Sequence, residues 1–248
     1  MKHARRNFGL ALIAISASLL HVASATAQAP ADSAALDAVL KKMDATAASF
    51  RATQADFEWD RYEKVIDEVD DVQSGTIYYR RAGKDIEMMA DIKQEGGSPA
   101  ELKPAAKYVL FRDGKISVYQ PKPDQVTVYD AGKNRAEVEN YLVLGFGGSG
   151  QDLIKSWDVT YLGPETINGV ATAKLKLVPK SQKVRGTFAQ ILLWIDLDRG
   201  VSVQQQLFEP QGDYRLAKYS NIRIRDKLPE DVFKLKTTDK TQTISPRG

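Results

Sequence analysis

The sequence has 248 residues, 43% hydrophobic and 27% charged, with 17 Gly, 10 Pro and no Cys. That excludes a disordered, collagenous or disulfide-stapled chain and leaves ample length for a core. The net charge of +3 is local, because Lys2, Arg5 and Arg6 supply it and the remaining 32 basic residues face 32 acidic ones, which excludes a broad basic field for nucleic acid.

Those three cations precede an apolar run from Phe8 to Leu20, and Ala25-Thr26-Ala27 follows as a small-x-small cleavage site. Residues 1–27 therefore read as an export signal, with an apolar run too short for a comfortable membrane span. No Cys follows the run, so the signal is not of the lipoprotein type, and Arg5-Arg6-Asn7-Phe8 echoes a twin-arginine signal only loosely. The expected location is the periplasm, where ATP and nicotinamide cofactors are not at hand. Both histidines, His3 and His21, lie within the signal. The mature chain then has no Cys or His for nucleophilic triads, Cys/His zinc sites, haem ligation or thiol redox chemistry. No cofactor and no metal are expected.

From Ser33, Leu36, Val39, Leu40, Met43, Ala47 and Phe50 recur at steps of three and four, which predicts an amphipathic helix capped by Asp32 or Ser33. The period then drops to two: Ala55, Phe57 and Trp59 alternate with polar residues as a half-buried strand. An acidic connection over Glu63–Asp71 leads to a strand over Val72–Arg81 and another over Asp85–Ile92. Lys93–Ala106, with Gly96, Gly97, Pro99 and Pro104, reads as a loop. Lys107–Arg112 and Lys115–Gln120 close on Asp113-Gly114, a strong hairpin signal, and Gln125–Tyr129 follows as a strand. Arg135–Leu144 predicts a short helix, Gly145–Gly150 a flexible link and Gln151–Lys155 a helical turn. Strands over Val159–Glu165, Val170–Val178, Ala189–Leu197, Val201–Glu209 and Tyr214–Ile224 come next, then an extended or single-turn piece at Pro229–Phe233. Lys236–Gly248 reads as a flexible polar tail.

The expectation is mainly β with α: about eleven antiparallel strands in meander order, forming one domain over residues 28–235. A strongly curved sheet must cover its apolar concave face, and the first helix and the 135–155 region are the elements at hand to do so. Alternation nominates Phe57, Trp59, Ile77, Tyr79, Ile86, Met88, Val109, Phe111, Val118 and Trp194 on strands, with Leu36, Leu40 and Met43 on the helix, as lining of a ligand space. Core and cavity share composition, and for any single one of these residues a plain core position is the favoured reading.

Other motifs carry less. Gly145-Phe146-Gly147-Gly148-Ser149-Gly150 spells G-x-G-x-x-G, but no βαβ unit surrounds it, so it reads as a hinge or a plain loop. The acids from Glu58 to Asp71 lack calcium-loop spacing and read as a solvated face. Lys174, Lys176, Lys180, Lys183 and Arg185 form a basic stretch that suits lipid headgroups or an exposed edge. No serine-hydrolase motif is present.

Val109-Leu110-Phe111-Arg112-Asp113-Gly114-Lys115-Ile116-Ser117-Val118-Tyr119-Gln120-Pro121, continuing to Asp124-Gln125-Val126-Thr127-Val128, resembles the central hairpin of the LolA family of periplasmic lipoprotein carriers. Ser49-Phe50-Arg51-Ala52, Gly75-Thr76-Ile77-Tyr78-Tyr79-Arg80-Arg81, Leu193-Trp194-Ile195-Asp196 and Tyr219-Ser220-Asn221-Ile222 are similar to other parts of it. The resemblance implies an open antiparallel β-barrel wrapped over a helical lid, with acyl chains of a lipoprotein or related lipid entering its hollow. It implies a latch arginine on the second strand, a position Arg81 matches, although Ala82 stands where the family has Pro. It also implies a monomeric, non-catalytic carrier that meets an inner-membrane lipoprotein exporter and an outer-membrane acceptor. A lipid-binding sensor of envelope stress on the same fold is the alternative, and a His-free carboxylate hydrolase a more distant one.

Overall fold

The computed structural model describes residues 28–83, 85–132 and 144–246. Helix α1 (Gln28–Ser49) leads into β1 (Ala52–Glu63), β2 (Glu68–Ala82) and β3 (Asp85–Gly96). A 3-10 turn at Pro99–Glu101 precedes β4 (Lys103–Arg112), β5 (Lys115–Gln120) and β6 (Gln125–Asp130). Helix α2 (Gly150–Ser156) opens the second half, followed by β7 (Trp157–Ile167), β8 (Val170–Pro179), the short α3 (Gln182–Arg185), β9 (Gln190–Asp196), β10 (Ser202–Phe208) and β11 (Tyr214–Arg225). A 3-10 turn at Glu230–Phe233 and β12 (Gln242–Ile244) complete it.

The strands form one sheet in the order β12-β6-β5-β4-β3-β2-β1-β11-β10-β9-β8-β7. Its outermost strands, β12 and β7, do not pair, so the sheet is an open barrel, not a closed one. Sequential hairpins build each half, and the pairing of β1 with β11 joins the halves. Two-residue turns set the register: Asp113-Gly114 joins β4 to β5 as expected, and Asn168-Gly169, where the end of the predicted strand at Glu165 implied a wider turn, joins β7 to β8 with Ile167 paired to Val170. Asp113 and Asn168 both take positive φ, at 54° and 48°, as the hairpin turns that match strand twist require.

Two apolar clusters fill the concave side and a third lies on the other face. Val39, Leu40 and Met43 of α1 pack with Leu153 of α2 onto Leu175, Leu177, Ile191, Leu193 and Ile195, covering β8 and β9. Phe57, Ile77, Tyr79, Met88 and Phe111 form the second cluster, over β1 to β4. On the opposite face, Met89 and Leu110 are covered by Leu228 and Phe233 of the C-terminal segment. The adjacent Met88 and Met89 thus serve two different cores, as strand alternation demands.

The architecture has the expected mainly β, open form, with differences in detail. Helix α1 begins at Gln28, ahead of the predicted cap, because Pro30 is tolerated in a first turn, where amides have no helical partner. The acidic connection and the predicted loop at 93–106 are largely paired strand: Glu68 faces Glu63, and Glu95 faces Lys103. Within the predicted flexible tail, β12 pairs in parallel with β6, anchored by Thr238 and Thr241 hydroxyls on the Asp124 carboxylate. The signal segment and the predicted helix at Arg135–Leu144, apart from Leu144 itself, lie outside the described residues. No described helix is long and apolar enough to cross a membrane.

Candidate functional site

Because α1 and α2 cover one half of the concave face, the middle of the sheet needs a different filling. Leu144–Gly150 supplies part of it, as a strap laid across the hollow. Its Phe146 is fully buried, stacked on Tyr79 with ring centroids 4.8 Å apart and edge-on to Tyr219 at 4.8 Å. The strap is tied on both sides. The Ser202 amide donates to the Gly145 carbonyl at 2.9 Å, and Gln205 Nε2 donates to the Leu144 carbonyl. From β2, Arg81 Nη2 donates to the Gly147 carbonyl at 3.0 Å. Gly147 has φ +79°, and a Cβ there would lie 2.7 Å from the Phe50 ring, so the strap backbone passes the ring at a close approach that only glycine permits.

Beside Phe146 the sheet keeps an open hollow of about 380 Å³, bordered by Trp59, Gln73, Tyr79, Met88, Phe188, Gln205, Leu207, Ala217 and Tyr219. Phe57 backs Trp59, ring centroids 4.2 Å apart. Burial pushes the Tyr219 hydroxyl up to about 12, against hydrogen bonding to Trp59 and Tyr79 that pulls it down. Burial also raises Tyr79 well above the usual phenol range. Both phenols are therefore neutral across physiological pH, and the inner end of the hollow carries no charge.

The outer end is different. Arg61 and Arg215 border the hollow and stand directly opposite each other on β1 and β11. Arg61 forms a forked pair with Asp70, which raises the guanidinium further and holds the Asp70 carboxyl below its usual range. Arg215 Nε reaches Glu209 at 3.4 Å. Asp71, also on the border, accepts from Gln73 Nε2 at 2.8 Å. No described group of three or more His, Cys, Asp or Glu could hold a metal ion.

The expected lining residues divide by location. Trp59, Tyr79 and Met88 border the hollow. Phe57, Ile77, Ile86 and Phe111 are packed core next to it, with Val109 half-buried against them. Val118 is half-buried and pairs with Val109. Leu36, Leu40 and Met43 do not line this space: they are packed on β8 and β9. Only a void of about 30 Å³ remains beside Met43, room for a single water molecule. Trp194 is buried in the same cluster as Phe57 and Tyr79 but does not border the hollow. Its neighbour Leu193 faces α1, so alternation turns Trp194 away, where it lies under Lys174, 4.7 Å from ring centroid to Nζ. That lysine also pairs with Glu165 at 3.1 Å, and Lys180 donates to the Ile154 carbonyl, so these members of the basic stretch brace the surface.

Sequence reasoning passed over Phe146, which sat in an apparent hinge, and over Gln205, Leu207, Ala217, Tyr219, Arg61 and Arg215. The Arg215, Ala217, Tyr219 alternation is a legible signal in retrospect, but a small and a charged residue mask its apolar side.

No family model matches the chain, and no curated protein matches it in sequence. Solved structures do match. MucB is 14% identical over 85% of this chain, with a TM-score of 0.51, and shares its fold. The chain spans 66% of the length of that MucB chain. A putative outer membrane lipoprotein-sorting protein domain from Vibrio parahaemolyticus is 12% identical, covering 80% of this chain and 97% of its own, at TM-score 0.42. A LolA superfamily protein from Nitrosomonas europaea is 13% identical over 81% of this chain and 97% of its own, at TM-score 0.38.

Proposed function

We propose that this protein is a non-catalytic periplasmic carrier that shelters an acyl chain of a lipid or lipoprotein in the hollow of its open barrel. The carrying observation is the space of about 380 Å³ walled by Trp59, Tyr79, Met88 and Tyr219, beside an aromatic side chain mounted on a glycine-flanked strap. Burying hydrocarbon there is worth about 0.8 kcal/mol per CH₂, ample to draw a chain out of water. Release requires that the empty state not expose the same surface. Phe146 meets that need by occupying the inner end when no cargo is bound, with Arg81 holding the strap through its bond to Gly147. A charged hydrogen bond of this kind contributes about 1.5–3 kcal/mol, small enough for cargo to overcome.

The predicted export signal supports a role between two membranes, and on this reading cargo passes from an inner-membrane exporter to an outer-membrane acceptor. The test is lipid extraction and mass spectrometry of protein purified from the periplasm. Co-purified acylated molecules at near one per protein are expected. Protein that emerges free of lipid and fails to take up a fluorescent fatty-acid probe would refute the reading.

A further inference from the structure

We infer that the occupant of the hollow is a single-chain amphiphile with an anionic head, its oxyanion held between Arg61 and Arg215. The inference rests on the carrier reading and names the ligand class.

Size sets the chain number. A protein cavity of about 150 Å³ holds benzene, a six-carbon molecule. On that scale the hollow of about 380 Å³ accepts about fifteen carbons. That is one fatty chain. A triacylated lipoprotein anchor carries three and does not fit the space as it stands.

Polarity sets the orientation. The inner end is Tyr79, Tyr219 and Phe146, all uncharged and buried. The side walls add Met88, Phe188 and Leu207. A hydrocarbon tail points inward and its head stays at the outer end.

Charge sets the head. Two arginines directly opposite on neighbouring strands place like charges together, and each is offset by a single carboxylate, Arg61 by Asp70 and Arg215 by Glu209. Their side chains are 49% and 62% exposed, so their stems follow the apolar border while their guanidinium groups reach water, where a lipid head would sit. The described carboxylates around them have partners of their own: Asp60, which also borders the hollow, takes Lys218 through Oδ2 at 2.8 Å. Asp70 is taken by Arg61, Asp71 by the Gln73 amide, and Asp213 by the Lys64 amide. Glu209 meets Arg215 only at 3.4 Å. Asp70 takes Arg61 Nε and Nη2, so a carboxylate or phosphate would bond to the Nη1 end of Arg61 and to the Arg215 guanidinium, gaining charge-assisted bonds from both.

The experiment is titration calorimetry of the whole mature protein at low salt with dodecanoate, lauroyl lysophosphatidylglycerol, the uncharged monolauroyl glycerol and a triacylated lipopeptide. One-to-one binding of an anionic single-chain probe, about tenfold or more tighter than monolauroyl glycerol, is expected. The tighter of the two anions identifies carboxylate or phosphate as the preferred head. Arg61→Gln with Arg215→Gln should weaken the anions about tenfold or more, and monolauroyl glycerol by less. Equal affinity for charged and uncharged probes, or indifference to the double substitution, overturns the head assignment. Tighter one-to-one binding of the triacylated lipopeptide overturns the single-chain assignment and leaves the carrier reading standing. Failure of every probe to bind overturns the carrier reading itself.

Discussion

Replacing Phe146 with alanine separates a plug from an ordinary core residue. The side chain is fully buried and makes two aromatic contacts, with Tyr79 and with Tyr219. Deleting a buried phenylalanine costs about 3–5 kcal/mol through lost transfer energy and the cavity left behind, and aromatic pairs add about 0.5–1.5 kcal/mol each. Urea unfolding of Phe146→Ala without ligand should therefore show a loss of about 4 kcal/mol. The vacated space joins the adjoining hollow, so a fatty-chain probe should bind this variant more tightly than the parent, having no ring to displace. At a hundredfold excess over its dissociation constant the probe should restore about 2.7 kcal/mol. A loss below about 1 kcal/mol would mean that the ring is not packed as described. A full loss of stability with weakened probe binding would mean that Phe146 is scaffold, and the displacement argument would fall.

Arg81→Leu should remove about 1.5–3 kcal/mol of strap attachment, read as faster hydrogen exchange at the amides of residues 145–148; unchanged exchange would deny the latch. Gly147→Ala forces a non-glycine residue to φ +79° against Phe50, and should cost more than the about 1–2 kcal/mol of the backbone alone. Gly132→Ala, at φ +49° with open space around it, is the control, and an equal effect at both positions would dismiss the Phe50 contact. Tyr219 titrates near 12 in the folded chain against an ordinary 10.0. Its raised value means that the contribution of the neutral phenol is complete below pH 10 and lost as the pH climbs from 10 to 12. The loss is about 3 kcal/mol, and alkaline urea titrations should show a dependence smaller by that amount in Tyr219→Phe, where the buried Tyr79 phenol still contributes.

Local chemistry carried much of this fold openly. Alternation through Phe57 and Trp59, or Met88 and Ala90, marks strands because neighbours on a strand face opposite sides. Asp113-Gly114 and Asn168-Gly169 mark their turns because few residues accept positive φ. The three- and four-residue spacing from Leu36 to Met43 marks α1. These are properties of a few consecutive residues, and they suffice for strand order within each half and for the class of the fold. Long-range pairing was not legible. The β1–β11 pairing that brings Arg61 opposite Arg215 joins residues far apart in the chain, and no local pattern announces it. Trp194 looked like lining because it is large and apolar, yet which face of β9 meets α1 is decided by Leu175 and Leu177 on β8. Phe146 looked like part of a hinge because glycines surround it. Only the assembled sheet shows that those glycines let a backbone pass close to Phe50 and Ser202, so that one ring can enter the space between Tyr79 and Tyr219. The sequence by itself determined where most strands and turns fall, because alternation and turn chemistry are local; tertiary packing decided which predicted loops join the sheet, which side chains fill the barrel and which leave it room.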